Sequence, residues 1–145
     1  MNLCDGSVWL ALALSKHVHQ PVAREWLDGI AEAGTILFCR STQQTLLRLL
    51  TNSAVLGAYG NAPLTNDEAW AVYEAFAADY RIALSAEEPA GLEARWKALA
   101  RRPTASPKLW MDAYLAAFAI AGNCRLVTTD AAFRQFDGLD LLLLG

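Results

Sequence analysis

Asp112 is the only charged residue between Leu109 and Cys124, in the run Leu-Trp-Met-Asp-Ala-Tyr-Leu-Ala-Ala-Phe-Ala-Ile-Ala-Gly-Asn-Cys. A helix that is apolar nearly all round is a buried helix, and a buried carboxylate without a partner is costly. Asp112 therefore calls for a lysine, a hydrogen-bond donor or a metal ion. Two further aspartates stand where carboxylates often do chemistry. Asp5 follows apolar Leu3-Cys4 and precedes Gly6-Ser7, and Asp130 follows Arg125-Leu-Val-Thr-Thr129. If the three meet, their mutual repulsion in a low dielectric is strong, and at least one carries a raised pKa unless a cation neutralises them. Magnesium suits such a set because it is hard, seeks oxygen and keeps several waters, and manganese is its usual substitute. A metal ion held this way supports phosphodiester hydrolysis by activating a water and stabilising the leaving oxygen.

The elements that must position these residues are legible in outline. Asn2 to Asp5 reads as a first strand and Ser7 to Leu14 as a helix. Val18, Val22, Trp26, Leu27 and Ile30 recur at helical spacing, which predicts an amphipathic helix from His17 to Ala33, stopped by Gly34. Thr35 to Cys39 reads as a second strand, Ser41 to Asn52 as a helix and Gly57 to Pro63 as a loop. Thr65 and Glu68 have capping-box spacing for a helix through Tyr80. Arg81 to Leu84 has the character of a brief third strand, followed by a helix from Pro89 to Ala100. Pro103 breaks the chain, after which Ser106 as cap and Pro107 in the first turn begin the helix that holds Asp112. Arg125 to Thr128 is a strand, Asp130 to Phe133 a short helical turn and Leu139 to Leu144 a last strand.

Strands alternating with helices predict an α/β fold, with a small, mostly parallel central sheet flanked by helices on both faces and a single domain over residues 1–145. In a parallel sheet the strand ends share one edge, and ligands bind there. Asp5 and Asp130 follow strands that end at that edge, and the Asp112 helix must start there in order to return to the strand at Arg125. Gln43 lies in the first turn after the second strand, at the same edge. This convergence fails if the sheet is not parallel. Taken singly, each residue also has a local reading. Asp5 and Asp130 are plausible helix caps, and Asp112 has Lys108 four residues earlier. His17 and His19 read as surface or helix-start residues, and most of the tryptophans, Trp9 and Trp110 especially, as core.

With 145 residues, 54% hydrophobic and 19% charged, the chain is sized for one globular core. No apolar run of spanning length predicts a membrane segment, and the N-terminus lacks the pattern of a signal peptide, so a cytoplasmic location is expected. Cys4, Cys39 and Cys124 are odd in number and widely spaced, which points to buried thiols and not to a disulfide framework. The net charge of −3 is a weak footprint for general nucleic-acid binding. Yet Arg95, Lys97, Arg101, Arg102 and Lys108 occur between Ala94 and Met111 without a single acid. That strip is either a solvated helix face or a surface that steers a polyanion.

Asp5-Gly6-Ser7, Asp112-Ala113-Tyr114-Leu115-Ala116-Ala117 and Thr128-Thr129-Asp130-Ala131-Ala132-Phe133, in that order and spacing, resemble the PIN-domain ribonucleases. The segment from Cys39 to Asn52 resembles one subgroup of the VapC toxins, and the likeness runs from Leu3 to Phe136. The resemblance implies a PIN fold and an endoribonuclease dependent on Mg2+ or Mn2+. It also implies a homodimer and a cognate antitoxin that covers the site. It assigns Asp5, Asp112 and Asp130 as the metal-binding acids, with Ser7 and Thr128 in support. Arg95, Arg101, Arg102 and Lys108 then become candidate RNA contacts. The family's second acid falls at or near Gln43, which is neutral, and Thr45 is a second frame for it, also neutral. That departure keeps open a catalytically weakened PIN-like binding module. An Asp-nucleophile phosphatase is a further alternative, although Ser7 occupies the place where such enzymes commonly carry a second acid.

Overall fold

A computed structural model describes all 145 residues. Five strands, β1 (Asn2–Cys4), β2 (Ile36–Cys39), β3 (Ile82–Ser85), β4 (Arg125–Thr128) and β5 (Leu141–Leu143), form one sheet in the order β3-β2-β1-β4-β5. Every neighbouring pair is parallel, as the alternation of strands and helices predicted. Seven helices connect them: α1 (Gly6–Ala13), α2 (Gln20–Asp28), α3 (Arg40–Leu50), α4 (Ser53–Gly57), α5 (Asn66–Ala77), α6 (Leu92–Ala100) and α7 (Leu109–Ala121). No helix is long and apolar enough to cross a membrane.

The inner strands β1, β2 and β4 are largely buried on both faces, so their side chains alternate between two cores. Cys4, Ile36, Phe38 and Val127 point to the side covered by α1 through α5. Leu3, Leu37, Cys39 and Leu126 point to the side covered by α6 and α7. Trp9 is fully buried in the first core, stacked on Phe38 with ring centroids 3.7 Å apart. Gly6 allows α1 to lie tightly on α3, since a Cβ there would come within 2.5 Å of Thr45 Cγ2. The capping box at Thr65 and Glu68 forms as expected, with bonds of 3.1 and 3.0 Å. All three cysteines are buried and free.

Several local expectations are corrected. The helix expected to run to Ala33 ends at Asp28. Arg81, on the strand side, donates from Nη1 to the carbonyls of Leu27 at 2.8 Å and Ile30 at 3.2 Å, while Nη2 pairs with Asp79 at 2.7 Å. The Leu27 carbonyl also accepts from Ile30 N in a tight turn, so a distant guanidinium caps the end of the shortened helix. α4 falls between the expected helix ending at Asn52 and the expected loop from Gly57, where no element was anticipated; Asn52 starts it by accepting from Val55 N at 3.0 Å. α7 begins at Leu109 instead of Pro107, because Ser106 to Lys108 close a turn in which Leu109 N donates to Ser106 O. His17 is not a surface residue: it is 8% exposed, stacks on Tyr59, and accepts from His19 N through Nδ1.

Candidate active site

The strand order reverses at β1, whose neighbours are β2 on one side and β4 on the other. A crevice opens where consecutive connections leave a parallel sheet in opposite directions, outside the carboxyl ends of the strands. Cys4 pairs with Val127 in the β1–β4 register, so Asp5 and Thr128, one residue further along, fall side by side. Thr128 Oγ1 donates to Asp5 Oδ2 at 2.8 Å, and Ser7 Oγ donates to the same oxygen at 3.1 Å. Thr128 Oγ1 accepts from Asp130 N at 3.0 Å, and Ser7 Oγ accepts from Thr129 N at 3.3 Å. Each hydroxyl therefore faces a backbone donor on one side and directs its proton to Asp5 on the other. Asp5 ends up firmly oriented. Burial raises its carboxyl pKa, the two hydroxyls and the Gly6 backbone pull it back, and the charge of Asp130 pushes upward again, leaving it raised overall.

Asp112 occupies the first turn of α7, half-buried. Burial first, and then the charges of Asp5 and Asp130, push its carboxyl up to about 6. Its expected local partner fails: the ion pairs of the fold join Arg24 to Asp28, Arg81 to Asp79 and Arg125 to Asp140, and none includes Lys108. Asp130 does act as a cap, since its Oδ1 accepts from Ala132 N at 2.9 Å. Asp5 sits at the N-cap position of α1 but makes no side-chain capping bond. Local chemistry thus accounts for one oxygen of Asp130 and for nothing at Asp112.

Asp112 and Asp130 line a cavity of about 530 Å³ together with Arg102, Ser106, Lys108 and Gln135. Gln135 and Ser106 were not anticipated as site residues. Nothing in composition marks Gln135, which reaches the cavity through the 3-10 turn Ala131–Gln135. Gln43 is buried in the first turn of α3, at the same sheet edge, with its Oε1 accepting from Arg40 Nη1 at 2.6 Å. Its amide oxygen is therefore already engaged by a cation. Of the basic strip, Arg102 and Lys108 line the aspartate cavity, Arg101 lines a neighbouring groove, and Arg95 is exposed on α6 and lines neither. The expectation that Trp110 packs in the core is wrong. It is 57% exposed, because α7 turns Leu109, Ala113, Ala116 and Ala117 toward the sheet and leaves Trp110 outside.

The donor set is all oxygen, which fits a hard divalent cation and not a zinc site. No three His, Cys, Asp or Glu side chains stand close enough together to hold a metal ion between them. The arrangement therefore departs from the expected grip of one ion by Asp5, Asp112 and Asp130 together, and leaves at most one or two of these carboxylates to bind an ion that keeps its waters. Relief of the repulsion felt by Asp112 is what such an ion would provide.

Known proteins resemble the chain in sequence and in fold. The family model described as "PIN domain" matches residues 3–139. The chain is 62% identical over 144 residues to Ribonuclease VapC41 of Mycobacterium tuberculosis, covering 99% of both sequences. Its fold matches VapBC2 from Rickettsia felis, solved bound to a DNA fragment from their promoter, with a TM-score of 0.70, 16% identity, and 99% and 98% of the two chains covered. It also matches Mycobacterium tuberculosis VapC20, described as a Sarcin-Ricin loop cleaving toxin, with a TM-score of 0.66, 14% identity, and 97% and 98% covered.

Proposed function

The chain belongs to the PIN-domain family and, within it, to the VapC ribonucleases, and on that premise we propose that it is a divalent-cation-dependent endoribonuclease acting as the toxin of a toxin–antitoxin pair. The observation that carries this reading is the unpartnered Asp112 carboxylate, raised to about 6 beside Asp5 and Asp130 at the carboxyl edge of a parallel sheet. Strongly perturbed acids in a cleft mark functional sites, and here no cationic side chain offsets the burial and repulsion that raise Asp112.

Asp5 and Asp112 would hold a Mg2+ or Mn2+ ion, with Asp130 in support; bound there, the ion would neutralise the acids, lower the pKa of a water and stabilise the leaving oxygen. Thr128 and Ser7 fix the orientation of Asp5, so its geometry is set before substrate arrives. Arg102 and Lys108, in the wall of the same cavity, would offset phosphate charge on either side of the scissile bond. The proposed partners are RNA, a second copy of the chain, and a cognate antitoxin that presents a basic side chain to the aspartates. The proposed place of action is the cytoplasm, where buried thiols such as Cys4 and Cys39 stay reduced.

Incubating the protein with RNA and Mn2+ or Mg2+ tests the reading. Cleavage is expected from the wild type, with loss in EDTA and in Asp5→Ala and Asp112→Ala. An inert wild type, indifferent to EDTA, overturns it and favours a binding module, for which the neutral Gln43 bound to Arg40 is the supporting observation. Release of phosphate from a small phosphomonoester would favour the phosphatase instead.

A further inference from the structure

A second cavity of about 700 Å³ lies between α6 and α7, and its walls include Trp96, Trp110, Lys97 and Arg101. Residues next to one another in the chain line it and the aspartate cavity. Arg101 lines the groove and Arg102 the aspartate cavity, while Trp110 lines the groove and Leu109 the aspartate cavity. Consecutive Cα atoms are about 3.8 Å apart, so the backbone passes directly from one lining to the other at both places.

The tryptophans are held in position. Trp96 Nε1 donates to the carbonyl of Trp110 at 2.9 Å, and the two rings meet edge to face at 6.3 Å and 79°. Tyr114 packs edge-on against Trp96 at 5.5 Å. Trp110 remains 57% exposed, a large aromatic surface left in water beside the site.

We propose that this groove is a nucleobase subsite: single-stranded RNA crossing the aspartate cavity stacks a base on Trp110 and lays its phosphates along Lys97 and Arg101. The inference rests on the ribonuclease reading and adds where the strand goes. The chemistry of the lining favours RNA over an apolar peptide. Its only aliphatic members are Ala94 and Ala100, and no leucine, isoleucine or valine is present to grip a partner helix. From Ala94 to Met111 the chain carries basic residues and no acid, Glu93 being the one acid at the margin. Exposed aromatic faces beside cations are how proteins hold unpaired bases without reading duplex sequence.

The test measures binding of a labelled single-stranded RNA oligonucleotide in EDTA, and KM and kcat with Mn2+, for wild type, Trp110→Ala, Trp110→Phe and Arg101→Ala. Trp110→Ala is expected to weaken binding by about 5- to 100-fold, the range for loss of one base–aromatic stack. KM should rise by a similar factor while kcat changes far less, and Trp110→Phe should retain most of the affinity. Arg101→Ala should lower the slope of log affinity against log salt by about one. Equal binding and cleavage by wild type and Trp110→Ala overturns the subsite and leaves the ribonuclease reading intact. Equal weakening for duplex RNA, or a shift from dimer to monomer with RNA affinity unchanged, also overturns it. Loss of binding in Trp110→Ala, when wild type binds but cleaves nothing, supports the subsite and overturns the ribonuclease reading.

Discussion

Replacing Asp112 by asparagine is expected to make the cation-free protein more stable while removing its activity. The side chain changes little in size and loses its charge. In the fold that charge has no counter-ion, and burial with Asp5 and Asp130 moves the carboxyl from 3.8 to about 6. Such a displacement corresponds to about 3 kcal/mol, at about 1.36 kcal/mol per tenfold change in proton affinity. Asp112 is only half-buried and water screens it, so about half of that, roughly 1.5 kcal/mol, is a fair expectation. For a chain of this size the gain amounts to a rise in Tm of about 3–6 °C. The sign with pH follows from linkage. Because the folded carboxyl holds its proton more tightly than the unfolded one, wild-type stability falls as pH rises from about 4 to about 6. The advantage of asparagine should therefore be complete above about 6 and vanish near pH 4. Calorimetric melts of both proteins in EDTA at several pH values measure it. Added Mg2+ should narrow the gap by stabilising the wild type more. RNA cleavage should fall by about 10²-fold or more, as for loss of a group acting in the transition state. An asparagine variant that melts lower than wild type at neutral pH, or gains equally at pH 4 and 7, would refute the repulsion argument.

Other outcomes follow from the same geometry. Thr128→Val removes a donor to Asp5 and an acceptor for Asp130 N at a fully buried position; stability should fall by about 1–3 kcal/mol in denaturant titration, together with cleavage. Manganese affinity, followed by calorimetric titration, should weaken as pH drops below about 6, because the ion must displace the Asp112 proton. Gly6→Ala places a methyl 2.5 Å from Thr45 Cγ2; the overpacking should cost about 1–3 kcal/mol, visible as a lower Tm.

The sequence by itself determined the alternation of strands and helices, and with it the parallel sheet and the edge at which Asp5, Asp112 and Asp130 gather. Those features depend on periodicity and on turn residues such as Thr65, Glu68 and Gly122, which act within a few positions of one another. It also determined the expectation that Asp112 needs a partner, since an aspartate in an apolar helix is visible without coordinates. What only the tertiary structure decided depends on residues far apart in the chain. The end of α2 at Asp28 is capped by Arg81, which donates to the carbonyls of Leu27 and Ile30. Asp5 is oriented by Thr128, which the β1–β4 register brings alongside. Trp110 is exposed because the rotation of α7 about its axis is set by packing on the sheet, and an almost wholly apolar helix gives no sequence pattern from which to choose that face. Lys108, at the N-cap of α7, forms no ion pair with Asp112 despite the four-residue spacing, and that too depends on side-chain placement in the folded chain.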